Sequence, residues 1–305
     1  MSSTLGLDKT IITGTIDSVF KEVTHSEDLG LRSPAQLRLF HLKLDGDTFS
    51  DEGLYRCLRN NIGQYVYSRS RIERFVKSGN AFSVGLEAMQ LIAEKYKDKP
   101  EVFGNMLGEI LLYAFFEEKL GAPKIFSKIE LDSLSPDTSN DGVHLLDLGS
   151  NSFQMVFGTS YVEDQIDAAV ENAFAKIKAS LSAPKAGIGL VSEIIFDQRV
   201  DDALADALAT IITPDPNAPE LDSAYGIFLC YSVGLDKSRY SVAEYKQMLE
   251  RKMVDDLRYV VPKIKSFIEE CGLSSKSFYI YGVPFDDATS DKATIMRKVT
   301  GGVIA

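Results

Sequence analysis

The sequence predicts an α/β protein with a mixed central sheet flanked by helices, organised as one domain over residues 1–305. Three observations predict it. Apolar stripes of helical period run through 101–119 and 163–178, short runs of strand length lie between and after them, and no linker or internal repeat divides the chain.

The elements follow in order. Residues 35–44 (AQLRLFHLKL) alternate as a strand, with Leu37 and Leu39 on one face and Phe40, Leu42 and Leu44 on the other. Asp45-Gly46-Asp47 ends it as a turn. Residues 52–77 and 80–96 read as helices, the second with Val84, Met89 and Ile92 inward. The clearest helix is 101–119, where Val102, Phe103, Met106, Leu107, Ile110, Leu111, Ala114 and Phe115 form one stripe with Glu109 at its border. Gly121-Ala122-Pro123 stops it.

Residues 125–131 read as a strand, followed by a polar loop, SLSPDTSNDG. Strands at 143–148 and 152–158 are joined by a hairpin turn at Gly149-Ser150-Asn151-Ser152. The helix over 163–178 turns Ile166, Ala169, Val170, Ala173, Phe174 and Ile177 to one side. The stretch 101–178 is thus helix, three strands, helix. Further on, 184–192, 224–233 and 277–283 read as buried strands and 212–223 as a surface loop. Residues 241–271 form a long helix that Pro262 kinks or divides.

Composition narrows the function. Hydrophobic residues at 45% and charged residues at 25% suit a globular chain with a substantial core. No apolar run approaches the ~18–20 residues of a membrane span, and the N-terminus lacks signal-peptide features, so a cytoplasmic protein is expected. Cys57, Cys230 and Cys271 are far apart and read as free thiols. Only His25, His41 and His144 are present and H-E-x-x-H is missing, which disfavours a zinc hydrolase. No G-x-S-x-G elbow occurs, and without G-x-x-x-x-G-K-[ST] any ATP-driven step must come from a partner.

The net charge of −11 argues against nucleic-acid binding by the whole surface. One local strip departs from it: Arg56, Arg59, Arg69, Arg71, Arg74 and Lys77, with Tyr65, Tyr67 and Phe75 interleaved and only Glu73 opposing. Such a strip either contacts phosphates and stacks bases or is a solvated helix face with its tyrosines in the core.

Metal-dependent nucleases place carboxylates around hard cations that activate water and neutralise charge on the scissile phosphate, often with a lysine nearby. A common plan puts one acid on a helix, one where a strand begins, and an acid-x-lysine pair on the next strand, where alternation sends both to one face. Glu109 on the 101–119 helix and Asp141 in Asn140-Asp141-Gly142-Val143-His144 meet the first half of this plan. The following strand, Phe153-Gln154-Met155-Val156-Phe157-Gly158-Thr159-Ser160-Tyr161, has neither acid nor lysine.

Gly108-Glu109, Leu111-Leu112, Phe126-Ser127-Lys128, Asp141-Gly142-Val143-His144, Gly158-x-Ser160 and the helix after them resemble the HamA nuclease subunit of Hachiman-type antiphage defence systems. The resemblance extends from about residue 35 to about residue 300, to a late strand closed by Val283-Pro284-Phe285. It implies a PD-(D/E)xK nuclease-like core at about 101–178, working on DNA beside a helicase/ATPase subunit, with Mg²⁺ held by Glu109 and Asp141. The family pattern at the last strand is Gly-Glu-Ser-Lys, and this chain has Gly158-Thr159-Ser160-Tyr161.

Two accounts of that departure stand side by side. Either the site is rebuilt, with Gln154 as a metal-facing oxygen, Ser160 contacting phosphate and Lys128 or Lys176 as the cation, or the subunit senses DNA or docks on the helicase without cutting. Loss of an acid and a lysine costs on the order of 3 kcal/mol or more each, by analogy with loss of an oxyanion donor. Structural alternatives exist for each residue: a flanking charge for Glu109, a turn for Asp141, a core histidine for His144, a backbone-bonded amide for Gln154, strand-end polarity for Ser160. The terminal GGVIA is a candidate part of a docking patch.

Overall fold

The computed structural model describes residues 7–134, 140–149, 152–182 and 220–301. A short helix, α1 (Thr15–Val19), leads into β1 (Phe20–Val23) and β2 (Ala35–Leu42), which pair antiparallel. The expected turn is the tip of a small hairpin, β3 (Leu44–Asp45) and β4 (Thr48–Phe49), with Gly46 at φ 66°.

The helix expected over 52–77 is two: α2 (Asp51–Val66) and α3 (Arg69–Lys77). Between them Tyr67 and Ser68 take extended backbone angles, and the Lys124 ammonium donates to the carbonyls of Tyr65 (3.1 Å) and Tyr67 (3.0 Å). The break is set by a distant residue satisfying helix-end carbonyls. α4 (Ser83–Tyr96) and α5 (Pro100–Phe115) follow. α5 continues as a π-helical turn over Phe116–Leu120 and ends at Gly121, φ 80°. Its stripe is buried as expected except for Val102, which is 42% exposed.

The strand expected at 125–131 is β5 (Lys124–Ser127), and its second half is a helix, α6 (Lys128–Leu134). The local cause stands in the sequence. Ser127-x-x-Glu130 is a capping box, with Ser127 N donating to Glu130 Oε2 at 2.9 Å and Glu130 N to Ser127 Oγ at 3.4 Å.

β6 (Gly142–Gly149), β7 (Ser152–Glu163) and α7 (Ile166–Ser182) match the expected strand, strand, helix, with β7 running on to Glu163 beyond the expected end at 158. β8 (Glu220–Ser232) follows. α8 (Val242–Glu270) is capped by a Ser241/Glu244 box and runs unbroken through Pro262, so the division expected there does not occur. β9 (Ser277–Phe285) and α9 (Ala288–Val299) complete the fold. The strand read at 184–192, the turn residues 150–151, residues 212–219 of the loop read at 212–223 and most of GGVIA lie outside the described residues; residues 220–223 of that loop are instead the start of β8, paired with β7.

Seven of the described strands make one mixed sheet in the order β1-β2-β9-β8-β7-β6-β5. β2, β9, β8 and β7 run parallel; β1 joins one edge by antiparallel pairing, and on the other edge β6 pairs antiparallel with β7 and β5 antiparallel with β6. α5 lies on one face with α2 and α9 packed beside it. α7 and α8 cover the other, where Phe174 stacks on Phe267 with ring centres 5.3 Å apart and on Phe278 at 6.2 Å. Both faces being covered explains why the central strands are almost wholly apolar. No helix among the described residues is long and apolar enough to cross a membrane.

Candidate functional site

Close packing of α5 on β7 sets the site. A Cβ on Gly108 would stand 3.1 Å from Val162 Cγ2 and 3.2 Å from the Ser160 side chain, and one on Gly158 would stand 2.8 Å from Leu112 Cδ2. The glycines of the Gly-Glu and Gly-x-Ser motifs are therefore where α5 and β7 approach closely, and they bring Glu109 down beside the strand.

Glu109 is 7% exposed and its Oε2 accepts the Tyr65 hydroxyl at 2.6 Å. Burial pushes Glu109 up to about 7, and the nearby Asp141 carboxylate adds to the rise; the Tyr65 hydrogen bond and the Lys176 and Lys128 ammoniums pull against it. Tyr65 is itself held well above the usual phenol range by burial and by Glu109, so it remains the donor.

Asp141 opens β6, its backbone N donating to Gly158 O at 2.8 Å. It is 3% exposed and its carboxylate is well supplied. Oδ2 accepts Ser160 N at 2.7 Å and Ser160 Oγ at 3.2 Å, and Oδ1 accepts Lys176 Nζ at 2.5 Å. One step past the Gly142–Gly158 pair, the antiparallel register sets Asp141 across from Thr159. Thr159 is buried, and its Oγ1 has no hydrogen-bond partner among the described residues.

Lys176 comes from α7, and its Nζ sits 5.6 Å over the ring of Tyr161. An ammonium thus occupies the space above the residue that stands where the family motif has lysine, delivered by the next helix and not by the strand. Lys128 lies at the start of α6, pairs with Asp132 at 3.1 Å and contributes to the field at Glu109.

Of the residues read as site candidates, Glu109, Asp141 and Ser160 come together, and Lys128 lies within electrostatic reach. Gln154 does not join them. It stands further up β7, its Nε2 donating to Ser277 Oγ at 2.8 Å and its Oε1 accepting the Tyr279 hydroxyl at 2.6 Å. Its amide is consumed in the core, and the role of metal-facing oxygen does not fit it. His144 is a buried core histidine, its Nδ1 bonded to Ala122 O at 2.9 Å, and burial pushes it down to about 3. Sequence spacing assigns Tyr65 only to the basic strip, because nothing in it links this residue to Glu109, 44 residues away.

Among the described residues no three His, Cys, Asp or Glu side chains group to hold a metal. The fit must therefore rest on the two carboxylates, since Gly158, Ser160 and Val162 face α5 and alternation turns Thr159 to the other face of β7. Mg²⁺ keeps several waters and needs only one or two carboxylates, so this donor set suits it. A cavity of about 630 Å³ lies by the β1–β2 connection at the opposite edge of the sheet, lined by Glu22, His25 and Arg38 among others, and has no part in this chemistry.

The fold and site define a mixed-sheet α/β protein with a buried carboxylate–lysine centre where its antiparallel edge meets the parallel strands. The chain belongs to the HamA family, whose model matches residues 17–299, and is thereby an antiphage defence subunit. None of the curated proteins matches it.

Proposed function

We propose that this subunit is a metal-dependent nuclease acting on DNA beside a helicase partner, with a PD-(D/E)xK-like site in which Lys176 replaces the strand lysine. The observation that carries this reading is the meeting of Glu109, Asp141 and Lys176 in one buried centre. Two buried carboxylates in mutual repulsion favour a cation between them. Mg²⁺ bound by Glu109 and Asp141 would supply Lewis-acid stabilisation of the phosphate and an activated water. Tyr65 holds the Glu109 carboxyl in place, the Ser160 backbone and hydroxyl orient Asp141, and Lys176 offers positive charge to a developing phosphorane oxygen. The helicase is what the family resemblance implies, and with no Walker motif in this sequence any ATP-driven step would fall to that partner.

A second reading has its own support. Asp141 is saturated by Lys176 and Ser160, and an ammonium already answers the charge a metal would answer. This favours a subunit that senses DNA or docks on the helicase without cutting.

Plasmid degradation with Mg²⁺ or Mn²⁺, with and without the partner, separates them. Under the nuclease reading the wild type cuts, and Asp141→Ala or Lys176→Ala lowers the rate by at least about a hundredfold, the scale of losing one charge-stabilising group. Cutting that appears only when Thr159→Glu and Tyr161→Lys are combined assigns the non-cutting role.

A further inference from the structure

The basic strip contains a surface that the carboxylate centre does not use. α3 has no buried residue. Its first cation, Arg69, is drawn inward: it donates to Asp8 O at 2.9 Å and to Lys124 O, and lies 3.8 Å from Glu117. Lys77 pairs with Glu73. Arg71 and Arg74 remain, exposed, three residues apart on one side of the helix, and neither forms an ion pair with a described residue.

These two line a cleft of about 260 Å³ together with Tyr67, Ser68, Phe126 and Ser133. Arg71 is pre-oriented by stacking on Tyr67, its guanidinium 4.4 Å from the ring centre. One acid, Glu130, also borders the cleft, but its Oε2 takes Lys124 Nζ at 2.7 Å and Ser127 N at 2.9 Å. The cleft is therefore cationic within a chain of net charge −11. α6 forms the wall towards the carboxylate centre, with Ile129, Glu130 and Ser133 on the cleft and Lys128 acting on Glu109. Phe82, the residue before α4, is fully exposed.

We propose that the Arg71–Arg74 cleft binds the phosphodiester backbone of a single nucleic-acid strand, which crosses α6 to reach the Glu109–Asp141 centre, with Phe82 as a stacking ring. The proposal rests on the nucleic-acid reading above and names the surface that reading lacks. Guanidiniums without carboxylate partners suit phosphate oxygens, and an exposed phenyl ring accepts the face of any base. A duplex has its bases already stacked, so only a single strand can use Phe82.

Anisotropy of a fluorescein-labelled 20-nucleotide single-stranded DNA, read on the full chain in EDTA so that cutting does not enter, tests this. Arg71→Ala/Arg74→Ala is expected to weaken binding at least tenfold at 100 mM salt and to flatten the slope of log K against log salt by about 1.4, near 0.7 for each phosphate of a single strand that is no longer neutralised. The charge-matched variant Lys246→Ala/Arg251→Ala, on the opposite face, is expected to change affinity by less than threefold and leave the slope in place. Phe82→Ala should weaken the single strand several-fold and leave a 20-base-pair duplex unaffected. Equal loss in both double variants, or an unchanged slope in the first, overturns the proposal. Stronger retention of poly-glutamate than of DNA by the same two arginines also overturns it, and gives the cleft to an acidic protein segment. Binding that depends on Arg71 and Arg74 in a chain that never cuts supports the cleft while removing the nuclease reading.

Discussion

Two buried ionic centres share the α5 helix and its π-helical extension, and they are built on opposite plans. At the first, Glu109 faces another carboxylate, its charge is disfavoured, and the hydroxyl of Thr159, across the ladder from Asp141, has no partner among the described residues. At the second, eight residues on, the carboxylate and the ammonium are both answered. Glu117 is 0% exposed and accepts Thr10 N (2.5 Å), Thr10 Oγ1 (2.8 Å), Ile11 N (2.6 Å) and Lys124 N (2.8 Å), with Arg69 at 3.8 Å. Lys124, equally buried, divides its ammonium between Glu130 and the two carbonyls that end α2; burial lowers its pKa, with Glu130 opposing. A network whose acid and base answer each other fixes structure, and one in which acids repel is a place for a ligand.

The contrast is broken most violently at Glu117. Glu117→Ala strands Arg69, three backbone or side-chain donors of the N-terminal segment and the Lys124 amide in the interior. Removing one side of a buried network costs about 3–5 kcal/mol. Urea denaturation at pH 7 should show a loss of that size; a loss under about 1 kcal/mol would mean that water replaces the carboxylate and that the second centre is not closed.

Glu109→Gln should do the reverse. The side chain keeps its volume and its acceptor for Tyr65 but sheds the disfavoured charge. An acid whose folded pKa lies above its unfolded value binds more protons folded than unfolded between the two, so stability falls as pH climbs from about 4.5 to about 7. The whole cost, about 3 kcal/mol from that rise, is carried above pH 7. The variant should therefore be more stable than wild type at pH 8 by roughly this amount, with the advantage gone by pH 4.5. Matched denaturation curves at both pH values check it, and equal stability at pH 8 would place Glu109 in a solvated, ordinary environment.

The same division explains how much of the molecule is legible in the sequence. Periodicity locates α5, α7, β6 and β8 because each buries one apolar face or both, a local property of the chain. Asp141 and Glu109 are read as site candidates because motif spacing carries them. What sequence misses comes from distant partners: Lys124 ending α2 at Val66, Ser277 and Tyr279 absorbing Gln154, Tyr65 reaching Glu109. α6 is the exception, since its Ser127-x-x-Glu130 box is readable and the strand-like Ile125-Phe126 ahead of it masks the signal. Lys176 enters the sequence reading only beside Lys128, as one of two cations for a rebuilt site, because a helix position says nothing of which strand a long side chain will reach.

The smallest expected effect discriminates best between the two plans. Thr159 is 2% exposed with an unbonded hydroxyl, and burying such a group costs about 1 kcal/mol or more in proteins. Thr159→Val removes the hydroxyl with little change of shape, so in the metal-free chain it should be neutral or stabilising by up to about 1 kcal/mol. If the hydroxyl is held for an ion, the same variant should bind Mn²⁺ several-fold more weakly, read by the thermal shift that Mn²⁺ confers through binding only the folded state. A rise in stability accompanied by an unchanged Mn²⁺ shift would make the hydroxyl a packing defect and bring the first centre closer to the second. Opposite movements of the two readouts are what a binding site, kept at the expense of stability, requires.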